Sequence, residues 1–438
     1  MRKTVSTFSQ PALASLLTRP SLQLLFDALS VPGEETRVVG GAVRNALLGR
    51  PINDIDCATT MTPREVVRRA AAAGLRTIPT GLDHGTVTVL VGDDSYEVTT
   101  LREDVATDGR RATVAFSKSF AADAARRDFT INALYLSRDG RVHDPAGGLA
   151  DLAARRVRFI GDPDTRIRED YLRILRFFRF HADYADGPLD ADGLAATVRL
   201  RAGLDGLSRE RVRAEFLKLL VASRAVETVD AMADAGLLLM VIGGVGERGR
   251  LARTAAGEAA RVQPADGALR LAALAVTTSE DALRLKHGLR LSNGEFERLA
   301  AYARLLEKLR SVVDPLDARA IRRLAVTEGL GPVSDVLAVV AHEPRPELFP
   351  EASAQLDAYR GGQPVPAFRL SGRDVLALGV EKGPEVGRVL ERARAQWLDA
   401  DCPDDEATAR ALLARAVKDL SGESSQECES DSDRVTRT

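Results

Sequence analysis

The sequence predicts an α+β protein: a mainly antiparallel sheet in the first third of the chain, followed by helices to the end. Three observations predict it. Residues 30–145 alternate β-branched runs with segments of helical apolar period. Residues 86–91 and 96–101 alternate polar and apolar side chains around Gly92-Asp93-Asp94-Ser95, the pattern of a hairpin. Beyond about residue 150 the strand signal nearly vanishes and apolar residues recur at helical spacing.

The elements follow in order. Residues 1–10 are mildly basic and serine-bearing, like a scrap of transit peptide. Residues 21–29, just after Pro20, read as a short amphipathic helix, so this region is assigned to the fold. Residues 37–40 read as a strand and residues 42–48 as a helix, stopped by Gly49 and Pro51. Gly40 and Gly41 then occupy a strand-to-helix turn. Free backbone N–H groups and the positive helix end favour an anion there, and glycine lets a phosphate approach the backbone. Arg44, in the first helical turn, can reach the same anion.

Asp54 and Asp56 flank Ile55. Two apart on a strand, they project to one face while Ile55 packs inward. A pair of oxygen ligands suits Mg²⁺, which keeps waters and bridges substrate phosphates. In two-metal chemistry one ion activates the attacking hydroxyl and the other holds the leaving oxygens. Alone, a Gly-Gly turn is usually only a turn, and an Asp-x-Asp usually faces solvent. The ordered combination points to a nucleoside triphosphate site.

Residues 126–134, Arg-Arg-Asp-Phe-Thr-Ile-Asn-Ala-Leu, read as the start of a helix, charged first and apolar after. Arg126 and Arg127 are adjacent, point in different directions, and are not expected to serve one structural salt bridge. Residues 144–151 read as a turn opening the next element. Asp170, Arg173, Arg176 and Arg179 then recur every three residues, which predicts one helical flank, with Leu172, Leu175 and Phe178 on an apolar flank beside it. A solvated face with an i,i+3 ion pair would satisfy this spacing. A sharper reading uses donor chemistry: a carboxylate only accepts and a guanidinium only donates. A fixed Asp-Arg pair would accept from the amino group of cytosine or adenine and donate to the neighbouring ring nitrogen. Uracil and guanine present a carbonyl there and would be refused.

Residues 207–220, 225–239, 267–277, 281–289 and 293–309 read as helices, with joints at Pro315, Pro332, Pro344, Pro346, Pro364 and Pro366. Residues 421–438 are acidic and apolar-poor, and are expected to be disordered. The net charge of −2 shows no overall basic character, so local arginine clusters, densest over residues 155–179, must serve any nucleic acid. Cys57, Cys402 and Cys428 have neither metal nor disulfide spacing, as expected of a reducing cytoplasm, and Cys57 reads as a core residue. No run of about twenty apolar residues predicts a membrane span.

These segments, in this order, resemble the class II tRNA nucleotidyltransferases, the CCA-adding enzymes, together with the related bacterial poly(A) polymerases. Gly40-Gly41-Ala42-Val43-Arg44 with Asp54-Ile55-Asp56 resembles the catalytic motif. Residues 126–134 resemble the second motif and residues 144–151 the third. Glu169-Asp170-x-x-Arg173-x-x-Arg176 resembles the amino-acid template that reads the incoming base, and residues 208–215 the last motif, a helix supporting the neck. The likeness spans residues 37–220, under half the chain.

The resemblance implies a nucleotidyltransferase head over residues 1–150, a helical neck carrying the template over 151–240, an RNA-binding helical body and tail over 241–420, and the acidic tail over 421–438. It implies that Asp54 and Asp56 are catalytic and hold Mg²⁺. Gly41, Arg44 and Arg127 would contact triphosphate or ribose. Asp170 and Arg173 would pair with the base, supported by Arg176 and Arg179. Glu97 would be a third carboxylate nearby. Residues 102–120 match the flexible loop used in switching from C to A addition. Asn45 departs from the pattern, many relatives having Asp, which should weaken a local contact. The partners implied are tRNA, ATP and CTP. Residues 74–87, with His84, resemble the CCA-adding version rather than the basic, aromatic run of the poly(A) polymerases, which favours CCA addition. Poly(A) addition to RNA ends is the nearer alternative, and a non-catalytic RNA-binding relative the other.

Overall fold

The computed structural model describes residues 10–81, 85–108, 111–341, 343 and 345–435. The basic start over residues 1–9 and His84 lie outside the described residues. The chain divides into two compact units, Met1–Gly246 and Glu247–Thr438, so the expected head and neck share the first.

In the first unit the strands are β1 (Thr36–Val39), β2 (Ile55–Thr59), β3 (Arg76–Gly81), β4 (Thr86–Val91), β5 (Asp94–Thr100), β6 (Arg102–Asp108), β7 (Arg111–Phe116), β8 (Tyr135–Leu136) and β9 (Val142–His143). Seven form one sheet in the order β3-β4-β5-β2-β1-β8-β9. Every neighbouring pair is antiparallel except β2 with β5. The mainly antiparallel sheet is therefore as expected. The β4–β5 turn is tighter than expected: Val91 already pairs with Asp94, and Gly92 takes the positive φ of 63° that such a turn demands.

Within residues 102–120 the described backbone pairs β6 with β7 as a separate two-stranded sheet and then enters the helix Phe120–Ala125.

Residues 126–134 are a second correction. The helix ends at Ala125 with Arg126 as its cap, and only Thr130–Asn132 makes a single 3₁₀ turn before β8. Asp128 explains the break. Its Oδ1 accepts from the Phe129 N–H at 2.8 Å and from Asn132 Nδ2 at 2.9 Å, local bonds that compete with a helix. Phe129 instead bridges Phe159 in antiparallel fashion. Its ring packs 5.0 Å from Phe159 and 5.1 Å from Phe180, making an aromatic core beneath the site.

The third motif is built on a glycine that nothing larger can replace. Asp144 caps the helix Gly148–Ala153 through the N–H groups of Gly148 (2.7 Å) and Leu149 (2.9 Å). A Cβ at Gly148 would lie 2.1 Å from the Thr130 carbonyl oxygen. Gly148→Ala is therefore expected to cost about 1–3 kcal/mol, the scale of an overpacked core. Urea unfolding measures it, and an unchanged midpoint would contradict the packing described.

The elements of the second unit among the described residues are all helices, apart from a bridge between Leu316 and Leu348. The helices Gly267–Ala275, Ser279–Leu289 and Asn293–Arg310 fall where expected. In the first unit residues 225–239 split into Ala225–Asp234 and Leu238–Ile242 at Gly236, whose φ is +70°. Pro332 is not a joint. The break falls at Gly329, and Pro332 sits in the first turn of Leu330–Val340, where no N–H is needed. The tail is a further correction: the helix Glu406–Val435 runs through residues expected to be disordered. Glu, Gln, Ser and Arg without proline permit helix continuation even where they supply no core. No helix among the described residues is long and apolar enough to cross a membrane.

Candidate active site

Asp54 immediately precedes β2, and Asp56 stands exposed within it while Ile55 and Cys57 are buried. The alternation places the two carboxylates as period two requires. Burial pushes the Cys57 thiol upward, consistent with a core residue rather than a nucleophile. In the parallel register Asp56 is partnered by Glu97, and on its other side by Val39, the residue before Gly40. The Asp56 carboxyl is raised above its ordinary value. Partial withdrawal from water is the main cause, then the negative charge of Glu97. Arg127 opposes them, and Asp54 adds to them. Anionic charge is thus concentrated beyond what the chain compensates, which suits a divalent cation. Among the described residues no three carboxylate, His or Cys side chains close into a ready-made metal cluster.

Gly40, with φ +71°, turns the chain from β1 into the helix Gly41–Leu47. Arg44 lies beside this turn, its Nη2 3.6 Å from where a Cβ on Gly41 would stand, and its guanidinium is anchored from the interior. It is 6% exposed. Its guanidinium donates Nη1 to Asn132 Oδ1 and Nη2 to Tyr184 Oη at 2.7 Å, lying 3.9 Å from the Tyr184 ring centre. Asn45 joins this network: its Oδ1 accepts from Arg44 at 3.1 Å and from Tyr184 at 3.3 Å, and its Nδ2 donates to the Pro51 carbonyl at 2.9 Å. An Asp could not make that last bond, so Asn45 trades charge for a donor.

Arg126 and Arg127 overturn the expectation that they serve no common salt bridge. Both bind Asp123, Arg126 Nη2 to Oδ1 at 2.7 Å and Arg127 Nη2 to Oδ2 at 3.0 Å. Adjacent residues diverge, but i−3 and i−4 are both neighbours of one carboxylate. Next to them Asp128 is tied to Arg176 Nη2 at 2.5 Å and Nε at 2.9 Å.

The template segment is also rearranged. Asp170 is extended (φ −154°, ψ 106°), and ends the helix Pro163–Glu169, while Arg173 opens the helix Arg173–Tyr184. Asp170 therefore does not share a helical flank with Arg173, Arg176 and Arg179. The cause is its own cap: Oδ1 accepts from the Leu172 N–H at 3.1 Å. Its Oδ2 accepts from Arg211 Nη2 at 2.7 Å. Arg173 pairs with Glu169 at 2.5 Å and donates to the Arg166 carbonyl at 2.9 Å. Arg179 pairs with Glu215 at 2.6 Å, and Arg176 reaches the same carboxylate at 3.5 Å. The apolar flank is as expected, with Leu172, Leu175 and Phe178 buried.

Several residues of the site escaped the sequence reading. Asp123, Asn132, Tyr135, Tyr184, Arg211 and Glu215 hold its charged groups. Asp151, fully buried, accepts from Thr130, Arg156 and Arg158. Asn132, Asp151, Arg211 and Glu215 fall inside the motifs named above without their partners being legible, and Asp123 left a local signal in its i,i+3 and i,i+4 spacing to the arginines.

The buried Asp128–Arg176 pair yields a stability prediction. Burial alone would raise the Asp128 carboxyl, but Arg176, Asn132 and the Phe129 N–H together hold it below its ordinary value. Its stabilisation is present above the unfolded value of about 3.9 and is lost as pH falls through the lower folded one. Asp128→Ala strands Arg176 and is expected to cost about 3–5 kcal/mol at pH 7. Denaturant titration at pH 7 and below pH 4 measures both, and a loss under 1 kcal/mol would contradict the pair.

Comparison with known proteins gives the chain's relatives. Residues 36–158 match the family model described as the Poly A polymerase head domain, and residues 189–242 the one described as a probable RNA and SrmB-binding site of polymerase A. The chain is 33% identical over 406 residues to CCA tRNA nucleotidyltransferase 1, mitochondrial, of Mus musculus, covering 88% of each. It is 36% identical over 375 residues to the Danio rerio protein of the same name, covering 83% of each. Among solved structures, the Bacillus stearothermophilus CCA-adding enzyme in complex with CTP superposes with a TM-score of 0.70 at 27% identity, over 92% of this chain and 100% of that one.

Proposed function

The chain belongs to the family of CCA-adding tRNA nucleotidyltransferases, and we propose that it adds C, C and A to the 3′ end of tRNA from CTP and ATP, without a nucleic-acid template and with release of pyrophosphate. The observation that carries the reading is the Asp54/Asp56 pair set beside Glu97 by the β2–β5 register, one residue removed from the Gly40 turn by the β1–β2 register.

Asp54 and Asp56 are the catalytic carboxylates and would hold Mg²⁺. When bound, Mg²⁺ supplies activation of the RNA 3′-hydroxyl and neutralises charge on the departing pyrophosphate. The remaining work belongs to side chains of this protein. Gly40 and Gly41 let the triphosphate approach the backbone, and Arg127 presents a guanidinium to it. Arg44, beside Gly41, contacts the triphosphate or ribose from the same turn. Asp170 accepts from the amino group of C or A, and Arg173 donates to the adjacent ring nitrogen after exchanging its bond to Glu169. Arg176 and Arg179 hold the template helix through Asp128 and Glu215. We assign the head to residues 1–150, the neck to 151–240, and tRNA-body binding by backbone and shape to residues 241–420. A reducing cytoplasm suits Cys57 and Cys402, both buried free thiols.

The test is pyrophosphate stoichiometry. Protein, Mg²⁺, CTP and ATP are mixed with a tRNA transcript lacking its 3′ CCA. Pyrophosphate is expected to be released once per missing nucleotide and then to stop, with none from a transcript already ending in CCA. Release without limit, or no release, would overturn the reading.

A further inference from the structure

Asp123 lies outside every motif described above, yet it is a buried carboxylate beside the proposed triphosphate site, at 1% exposure. Its Oδ1 accepts from Arg126 Nε at 3.0 Å and Nη2 at 2.7 Å. Its Oδ2 accepts from Arg127 Nε at 3.1 Å and from Tyr135 Oη at 2.8 Å, and Arg127 Nη2 stands 3.0 Å from it as an ion-pair partner. Burial alone would raise this carboxyl, but the two guanidiniums and the tyrosine hold it below its ordinary value. One buried anion therefore orients two cations, and the trio retains net positive charge.

The consequence falls on Arg127. Two of its nitrogens are occupied by Asp123, and Nε also lies 3.3 Å from Tyr135 Oη. Its Nη1 has no hydrogen-bond partner among the described residues. That atom lies over the glycine turn, 3.6 Å from where a Cβ on Gly40 would stand. The frame holding it is tied at several points. Tyr135 pairs with Val39, the residue before Gly40, in the β1–β8 register, and its ring meets Phe120 edge-on at 5.3 Å. Phe120 is in turn covered by Arg37, 3.8 Å from its centre. Asp123 comes from the helix whose cap is Arg126. Every member of the assembly except the Nη1 edge is fixed by sheet register, helix spacing or ring packing.

We propose that Asp123 and Tyr135 are positioning residues for Arg127, aiming its free Nη1 edge at the phosphates of the incoming nucleoside triphosphate over the Gly40 turn. The inference rests on the nucleotide-addition reading above, and adds to it the residues that set phosphate affinity independently of the base. Since phosphates are common to CTP and ATP, disturbing Asp123 should weaken both equally. The choice of base, made at Asp170, should be untouched.

The experiment compares parent, Asp123→Asn and Tyr135→Phe. Asn keeps the shape but removes the charge and turns a donor toward a guanidinium. Phe keeps the ring and removes one hydrogen bond, so it carries the test even if the Asn variant does not fold. Binding of inorganic tripolyphosphate with Mg²⁺ is measured by calorimetry, and KM and kcat for CTP and ATP on CCA-lacking tRNA by extension. In Asp123→Asn both KM values and the tripolyphosphate Kd are expected to rise together by roughly 10- to 100-fold. Discrimination against UTP should be unchanged, and Tyr135→Phe should move the same way by a few-fold. Unchanged Kd and KM in a folded variant, or loss of base selectivity with phosphate binding intact, would overturn the proposal. Failure of the parent to extend tRNA would instead count against the nucleotide-addition reading, while the tripolyphosphate comparison would still decide the role of Asp123.

Discussion

Asp56→Asn is expected to abolish nucleotide addition while leaving the protein as stable as its parent, or more so. Holding a divalent ion against substrate phosphates is worth several kcal/mol in the transition state, so the loss should be about a thousandfold or greater. Stability moves the other way because the Asp56 carboxyl is raised in the fold, by desolvation first and then by Glu97. A carboxylate with a raised folded value favours the native state only below its unfolded value, and that contribution is lost as pH rises through the folded one. At neutral pH its charge therefore opposes folding, and an uncharged Asn relieves the strain. Asp54→Asn should show the same catalytic loss. Primer extension and thermal unfolding of the same preparations measure both effects. Extension at even a tenth of the parental rate would contradict the metal assignment, and a large drop in Tm would contradict the electrostatic account.

The second large effect concerns selectivity. Asp170→Ala should leave the fold intact, since Asp170 is partly exposed and its loss frees only Arg211 and one helix-start N–H. Discrimination of CTP and ATP against UTP and GTP should fall by about a hundredfold, because refusal of a carbonyl depends on an acceptor-only group facing it. Competition between labelled CTP and UTP on CCA-lacking tRNA reads the ratio directly. A ratio equal to the parental one would remove Asp170 from base recognition. Both Asp170 oxygens already accept one bond each, from Leu172 and Arg211. A carboxylate oxygen can accept a second, so the base amino group has a place without displacing either.

What could be read from the sequence follows the range of the interactions involved. Asp54 and Asp56 were legible because a strand alternates with period two, and Ile55 between them had to be the buried member. The hairpin around Gly92 and the long helices of the second unit were legible for the same local reasons. Boundaries set by side-chain caps were not. Asp128 and Asp170 each satisfy a neighbouring backbone N–H and so end a helical pattern that their spacing alone would continue. The partners of the arginines were least legible, because Glu215 and Arg211 lie 36 and 41 residues from the groups they bind. Arg44 shows this too: helix position alone placed it beside the glycine turn, but Tyr184, the partner that anchors its guanidinium, is 140 residues away.

The central claim is that this site adds a defined sequence and then stops. The most direct test incubates the protein and Mg²⁺ with a tRNA transcript lacking its 3′ CCA, with each nucleoside triphosphate alone and with CTP plus ATP, and resolves the products to single nucleotides. The account predicts C-C with CTP alone and growth by C-C-A, then arrest, with both. A ladder of A residues from ATP alone, or no growth at all, would contradict it.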